Sequence, residues 1–180
     1  MEQQLSELLD RQAITDVIYG YCLAVDRLDF KAMTELYHPD GFDDHGHFGE
    51  GPVKNFFSFV EKNVAGGSIG RVHHAVTNIV LKLDGDYAES QSWFFGFHVI
   101  EEEGKEPWDY VIIGRFLDKF EKRNGQWKIF HRRVVPDMTY RTERSTMRLD
   151  DPLAAGFHLG QGGQKDPSYN FFKLFKWGSV

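Results

Sequence analysis

Trp108–Thr139, WDYVIIGRFLDKFEKRNGQWKIFHRRVVPDMT, reads as two long strands joined by a tight turn. Arg123-Asn124-Gly125 divides Trp108–Lys122 from Gln126–Thr139, and Asn-Gly between two such runs is a strong hairpin signal. Upstream, Tyr87–Glu102 and Arg71–Leu83 have the same character, set apart by Glu103-Gly104-Lys105 and Asp84-Gly85-Asp86. The first part of the chain differs in period. From Leu5 to Val25, residues Leu8, Ile14, Ile18 and Tyr21 fall on one helical face, with Leu5 just off it and Val17 and Val25 flanking. Leu28–Tyr37 reads as a short second helix with Asp29 as N-cap. His38-Pro39-Asp40-Gly41 reads as a turn and Phe42–Phe48 as a short strand. Pro52 fits the first turn of a third helix running to about Val64, which Gly66-Gly67-Ser68 breaks. Helices followed by a curled antiparallel sheet make an α+β pattern. Helices on the concave face of such a sheet leave a cone-shaped cavity.

A chain of 180 residues suits one domain, here 1–140, with an extension over 141–180. A hydrophobic content of 41% supports a substantial core, and the abundance of Phe, Tyr and Trp suits pockets and interfaces as well. The net charge of −6 argues against a nucleic-acid partner, which needs a basic face. No apolar run is long enough to span a membrane, and Met1-Glu2-Gln3-Gln4 does not open a secretory signal. Cys22 is the single cysteine, which fits a reducing cytoplasm. The tail is polar and Gly-rich, then aromatic at Phe171, Phe172, Phe175 and Trp177. Exposed aromatics at that density are costly, so the extension is expected to dock on the domain, a neighbouring subunit or the cavity mouth.

Asp26 closes the first helix, where the macrodipole disfavours a carboxylate. Such a carboxylate either faces water, paired with Arg27, or sits in an apolar site that tunes its basicity upward. His73 and His74 open a strand-like segment. An imidazole oriented by a carboxylate makes a general base. His74 alternatively is a core histidine satisfied by a backbone carbonyl. Strand alternation sends His73 to the opposite face, and splits Arg132 and Arg133 in the same way. His38, Asp40, Asp43, Asp44, His45 and His47 are dense in potential metal ligands, but donors on one flat strand diverge, so a polar rim is the commoner reading. Of Trp93, Phe94, Phe95 and Phe97, and of Trp108 and Tyr110, alternation points half into the cone. The rest face outward, which favours a homo-oligomer.

Tyr21-x4-Asp26, Tyr37-His38-Pro39-Asp40, Asp43-Asp44-His45-Gly46, His74-x2-Thr77-Asn78 and Gly125-x-Trp127-Lys128-Ile129-x2-Arg132 together resemble the SnoaL-like branch of the NTF2-like superfamily, over roughly residues 5–140. The resemblance implies an α+β cone, a strongly bent antiparallel sheet with three N-terminal helices enclosing a hydrophobic pocket. Catalytic members such as lindane dehydrochlorinase, bile-acid 7α-dehydratase and scytalone dehydratase work on hydrophobic rings without redox cofactor or metal. It further implies Asp26, His74 and Arg132 as catalytic residues, with Tyr21 as a polar aid. His98 resembles a second sheet histidine displaced by one position, and Trp93 and Tyr110 are further pocket candidates. His74 is then the base, Asp26 its orienting partner, Arg132 the stabiliser of a departing anion or enolate-like oxygen, and Tyr21 a proton donor. The expected function is a cofactor-independent lyase of dehydratase type on a hydrophobic cyclic or aromatic molecule. Isomerisation, aldehyde-releasing carbon–carbon cleavage and dehydrohalogenation use similar parts. Family members form dimers and trimers, and some are non-catalytic pocket proteins or accessory subunits.

Overall fold

The computed structural model describes residues 1–65, 69–143, 152 and 156–174. Phe175, Trp177 and the Gly66-Gly67-Ser68 breaker lie outside the described residues. Helices α1 (Glu2–Asp26) and α2 (Phe30–Glu35) lead into strand β1 (Tyr37–Asp44), the short β2 (Glu50–Pro52) and helix α3 (Val53–Ala65). Four long strands follow: β3 (Ile69–Asp84), β4 (Tyr87–Ile100), β5 (Trp108–Arg123) and β6 (Gln126–Glu143). The six strands form one sheet in the order β2-β1-β6-β5-β4-β3. This is the bent, unclosed α+β sheet of an NTF2-like cone.

Local chemistry explains the joints. Asn124 and Gly125 both take positive φ (53° and 77°), as a two-residue type I′ hairpin requires. Asp29 caps α2 by accepting the Ala32 amide at 2.9 Å. On β4 the even-numbered residues from Ala88 to Gly96 face the core. Phe94 there stacks on Phe116 of β5, with ring centroids 4.3 Å apart and nearly parallel. Ile14, Ile18 and Tyr21 of α1 pack into the same core.

Several sequence-based expectations need correction. Leu5 and Leu8 are exposed, because the first turns of α1 have no described element beneath them. The sheet is not wholly antiparallel, since β1 runs parallel to β6. The turn expected at 38–41 is absorbed into β1. Tyr37 pairs with Ile129 and Phe42 with His131, so five steps of β1 face two of β6. The excess chain around Pro39 is an outward bulge, which is why the segment carries turn chemistry. Pro52 ends β2 instead of opening α3.

Candidate functional site

Asp26 is the last residue of α1, and it meets the edge strand β3 side-on. Its Oδ2 accepts the His74 backbone N–H at 3.0 Å, while Oδ1 accepts from His74 Nδ1 at 2.8 Å. The two side chains are 7% and 10% exposed. An ionised carboxylate only accepts, so, paired with one, His74 carries a proton on Nδ1, and its Nε2 makes no hydrogen bond among the described residues. The two bonds offset the unfavourable position of a carboxylate at a helix C-terminus. Arg27 turns away from Asp26 to Asp166, at 3.2 Å. His73 is 71% exposed, yet its Nδ1 is 3.4 Å from Asp26 Oδ2. Alternation alone misses this contact, because a carboxylate abutting the strand's edge lies between its two faces.

The wall beside His74 is aromatic. The His98 ring stands edge-on to it at 5.2 Å, and Phe94 lies 6.3 Å away. Gly96 pairs with His74 and makes room for both imidazoles. A Cβ there would sit 2.8 Å from Ile112 Cγ2, 3.0 Å from His98 Cε1 and 3.4 Å from His74 Cδ2. Burial, then the neighbouring His74, pushes the His98 pKa down to about 4, so the ring is neutral near pH 7. Its Nδ1 is buried without a hydrogen-bond partner among the described residues. Tyr110 is the cross-strand neighbour of His98, with ring centroids 5.9 Å apart. Trp93 is adjacent to the inward Phe94 and so lies on the opposite face, between Thr77 and Arg115. Strand alternation removes it from the pocket wall.

Arg132 is the inward member of its pair, fully buried, whereas Arg133 faces out to Asp44. Asp118 holds the Arg132 guanidinium with two bonds of 2.7 Å to Nε and Nη2. The guanidinium also lies over the Tyr21 ring at 4.0 Å and the Phe116 ring at 4.2 Å. Its Nη1 is buried without a hydrogen-bond partner among the described residues. Burial, then the charge of Asp43, raises the Tyr21 pKa far above its ordinary value, so the phenol keeps its proton. Sequence reasoning missed Asp118. The signal was present, because Asp118 lies in register with Phe116 and Phe120 on an inward face, and the Asn-Gly hairpin brings it opposite Arg132.

These residues form a polar row across the sheet: Ser90 faces Asp118, Asp118 faces Arg132, and Arg132 faces Asp43. All four are buried, and the hydroxyls of Ser90 and its neighbour Ser92 have no partner among the described residues. Asp43 accepts the Tyr37 hydroxyl at 2.7 Å and is in contact with His45 Nδ1. Among the described residues no three His, Cys, Asp or Glu side chains converge as a metal site would require.

A cavity of about 630 Å³ opens beside Asp26. Val72, His98, Val99 and Val111 line it, with Gly160 and Gln161 of the tail. Tyr21, His74 and Arg132 are not on its wall, and Tyr21 and Arg132 lie in the core. The tail reaches this place through main-chain and side-chain bonds. Gly163 donates its amide to the Arg27 carbonyl at 2.6 Å, and Tyr169 donates its hydroxyl to Asp29 at 3.2 Å. Asp166 accepts the amides of Gln161 and Ser168.

The SnoaL-like domain profile matches residues 6–133, and the chain belongs to that family. Among solved structures, the hexachlorocyclohexane dehydrochlorinase LinA-type3 from Novosphingobium barchaimii superposes with a TM-score of 0.68 at 20% identity, covering 83% of this chain and 99% of that one. A candidate scytalone dehydratase from Novosphingobium aromaticivorans gives a TM-score of 0.66 at 20% identity, covering 81% and 98%. A Mycobacterium tuberculosis protein of unknown function, Rv3472 in its D26N form, gives 0.55 at 19% identity, covering 83% and 86%. None of the curated proteins compared with the chain matches it. At these identities the structural likeness establishes the fold alone.

Proposed function

We propose that this protein is a cofactor-independent lyase that eliminates water from a hydrophobic cyclic or aromatic substrate by acid–base catalysis. The observation that carries the reading is the two-point contact between Asp26 and His74 beside a cavity that Val72, Val99 and Val111 line together with Arg71, His98 and Asp109. His74 Nε2 removes a proton from carbon, and Asp26 holds the tautomer and stabilises the imidazolium that forms. Asp118 offsets the Arg132 charge, so Arg132 polarises a neutral hydroxyl or carbonyl through Nη1 instead of trapping a free anion. Tyr21, whose phenol keeps its proton, is the proposed donor to the same oxygen, although both groups lie in the core behind the cavity wall. Dehydration is preferred over isomerisation, aldehyde-releasing cleavage and loss of halide, which would use the same groups.

A non-catalytic pocket protein is the second reading, favoured by the absence of Tyr21 and Arg132 from the cavity wall. Proton abstraction from 5-nitrobenzisoxazole, a small aromatic probe that opens to a coloured phenolate, separates the two. We expect parent-protein turnover above buffer, reduced by about 100-fold or more in His74→Gln and in Asp26→Asn. Turnover unchanged in both folded variants would remove their catalytic roles. Screening hydroxylated cyclic compounds for loss of water then defines the substrate. We further propose a homo-oligomer, since Phe97, Met138 and Tyr140 are exposed on the long strands. Sedimentation velocity of the full chain tests it. No described helix is long and apolar enough to cross a membrane.

A further inference from the structure

The cone carries a second carboxylate–imidazole pair that the reading above leaves unused. Asp43 is fully buried at the end of β1, one strand from Arg132. Its Oδ2 accepts the Tyr37 hydroxyl at 2.7 Å, and its Oδ1 meets His45 Nδ1. Arg132 gives its two side-chain hydrogen bonds to Asp118, and none joins it to Asp43 among the described residues. A buried carboxylate without partners is costly, and Asp43 has two, the Tyr37 hydroxyl and the His45 imidazole.

His45 is held in one pose. Its ring stacks on Phe56 of α3 at 3.8 Å and 11°. Its backbone amide donates to the Gly49 carbonyl at 2.8 Å, and the next amide, Gly46, donates to Asp44 at 3.0 Å. Gly46 takes φ +60°, the left-handed conformation that lets the loop turn directly after the imidazole. The His45 side chain is 16% exposed, and no hydrogen bond is made by Nε2 among the described residues. An imidazole fixed by a buried carboxylate at Nδ1, clamped by stacking and open at Nε2 is preorganised for proton transfer.

The geometry points to His45 as a second proton-transfer residue of this protein, with Nε2 as the exchanging atom and Asp43 as its positioning residue. This rests on the acid–base reading of the cone and extends it. Rings in succession connect the two centres: His74, Phe94, Phe116, Tyr21 and Tyr37. His74 takes a carbon-bound proton at one end of the cone, and His45 Nε2 takes one at the other, beside the end of the polar row that Asp43 occupies, with Asp43 holding Nδ1 as the imidazolium forms.

The test uses the full chain with 5-nitrobenzisoxazole, in which a base takes the ring C–H proton while the N–O bond breaks and its electron pair leaves as phenolate oxygen. Rates are compared for the parent, His74→Gln, His45→Gln and the double variant. The expected result is a residual rate in His74→Gln that falls about tenfold further when His45→Gln is added. Equal rates in His74→Gln and the double variant overturn the proposal and leave the His74 reading intact. Absence of turnover by the parent overturns both. Side-chain ¹H–¹⁵N correlation spectra of the folded parent supply an arm that needs no His45 variant. They should show His45 protonated at Nδ1, and Asp43→Asn should move its nitrogen shifts. A proton on Nε2 alone, or shifts unmoved by Asp43→Asn, overturns the assignment.

Discussion

Asp118→Asn tests the physics at the centre of the cone. Arg132 is fully buried, and Asp118 is the carboxylate that meets two of its nitrogens at 2.7 Å. Asparagine keeps the shape but removes the charge. At about 4 Å and an effective dielectric near 20, the lost Coulomb attraction is about 4 kcal/mol. Breaking buried pairs by removing one partner costs about 3–5 kcal/mol, which agrees. Ring contacts to Tyr21 and Phe116 return only a part, since such contacts contribute roughly 0.5–2 kcal/mol. A typical domain is stable by about 5–15 kcal/mol, so the variant should lose a large share of its stability. Urea unfolding followed by tryptophan fluorescence measures this as a fall in midpoint at constant slope. The double variant Asp118→Leu with Arg132→Met should recover most of the loss, because no charge is then left buried. Asp118→Asn within about 1 kcal/mol of the parent would show that the guanidinium does not depend on this carboxylate. It would also undo the argument that Arg132 acts on neutral oxygens.

Further outcomes follow from other parts of the site. His98 has an ordinary pKa of 6.5 when unfolded and about 4 in the fold, so its contribution is complete above 6.5 and is lost as pH falls from 6.5 through 4. Up to about 3 kcal/mol should disappear over that window, and His98→Gln should flatten the slope of stability against pH. Gly96→Ala should push Ile112 and both imidazoles, costing about 1–3 kcal/mol and lowering probe turnover more than it lowers expression of folded protein. Asp166→Ala removes an acceptor for the Gln161 and Ser168 amides, and amide exchange should accelerate over 160–169 while the core strands keep their protection.

Much of the cone was legible along the chain. Period-2 strands and Asn-Gly or Asp-Gly turns place β3 to β6 within a few residues, because hairpin partners are neighbours in sequence and their register is set at the turn. Asp29 as an N-cap is local for the same reason. The parallel pairing of β1 with β6 was not legible, since it joins segments about 90 positions apart and no local rule reports it. Trp93 and His73 show the limit of alternation. It assigns a face to each residue, which places Trp93 outward once the register is known. It says nothing about a neighbour arriving at the strand's edge, which is how Asp26 touches both histidines.

Residue chemistry pointed to Asp26 and the His73-His74 pair as groups able to move protons, the family resemblance singled out His74 and Arg132, and periodicity supplied an α+β order. Folding decided what surrounds them. It turned Arg27 aside to Asp166, gave Arg132 a carboxylate that offsets its charge, and set Asp43 against His45. The reason is that reactivity depends on burial and on charges within a few ångströms, and those distances are fixed by long-range packing that a linear chain does not display.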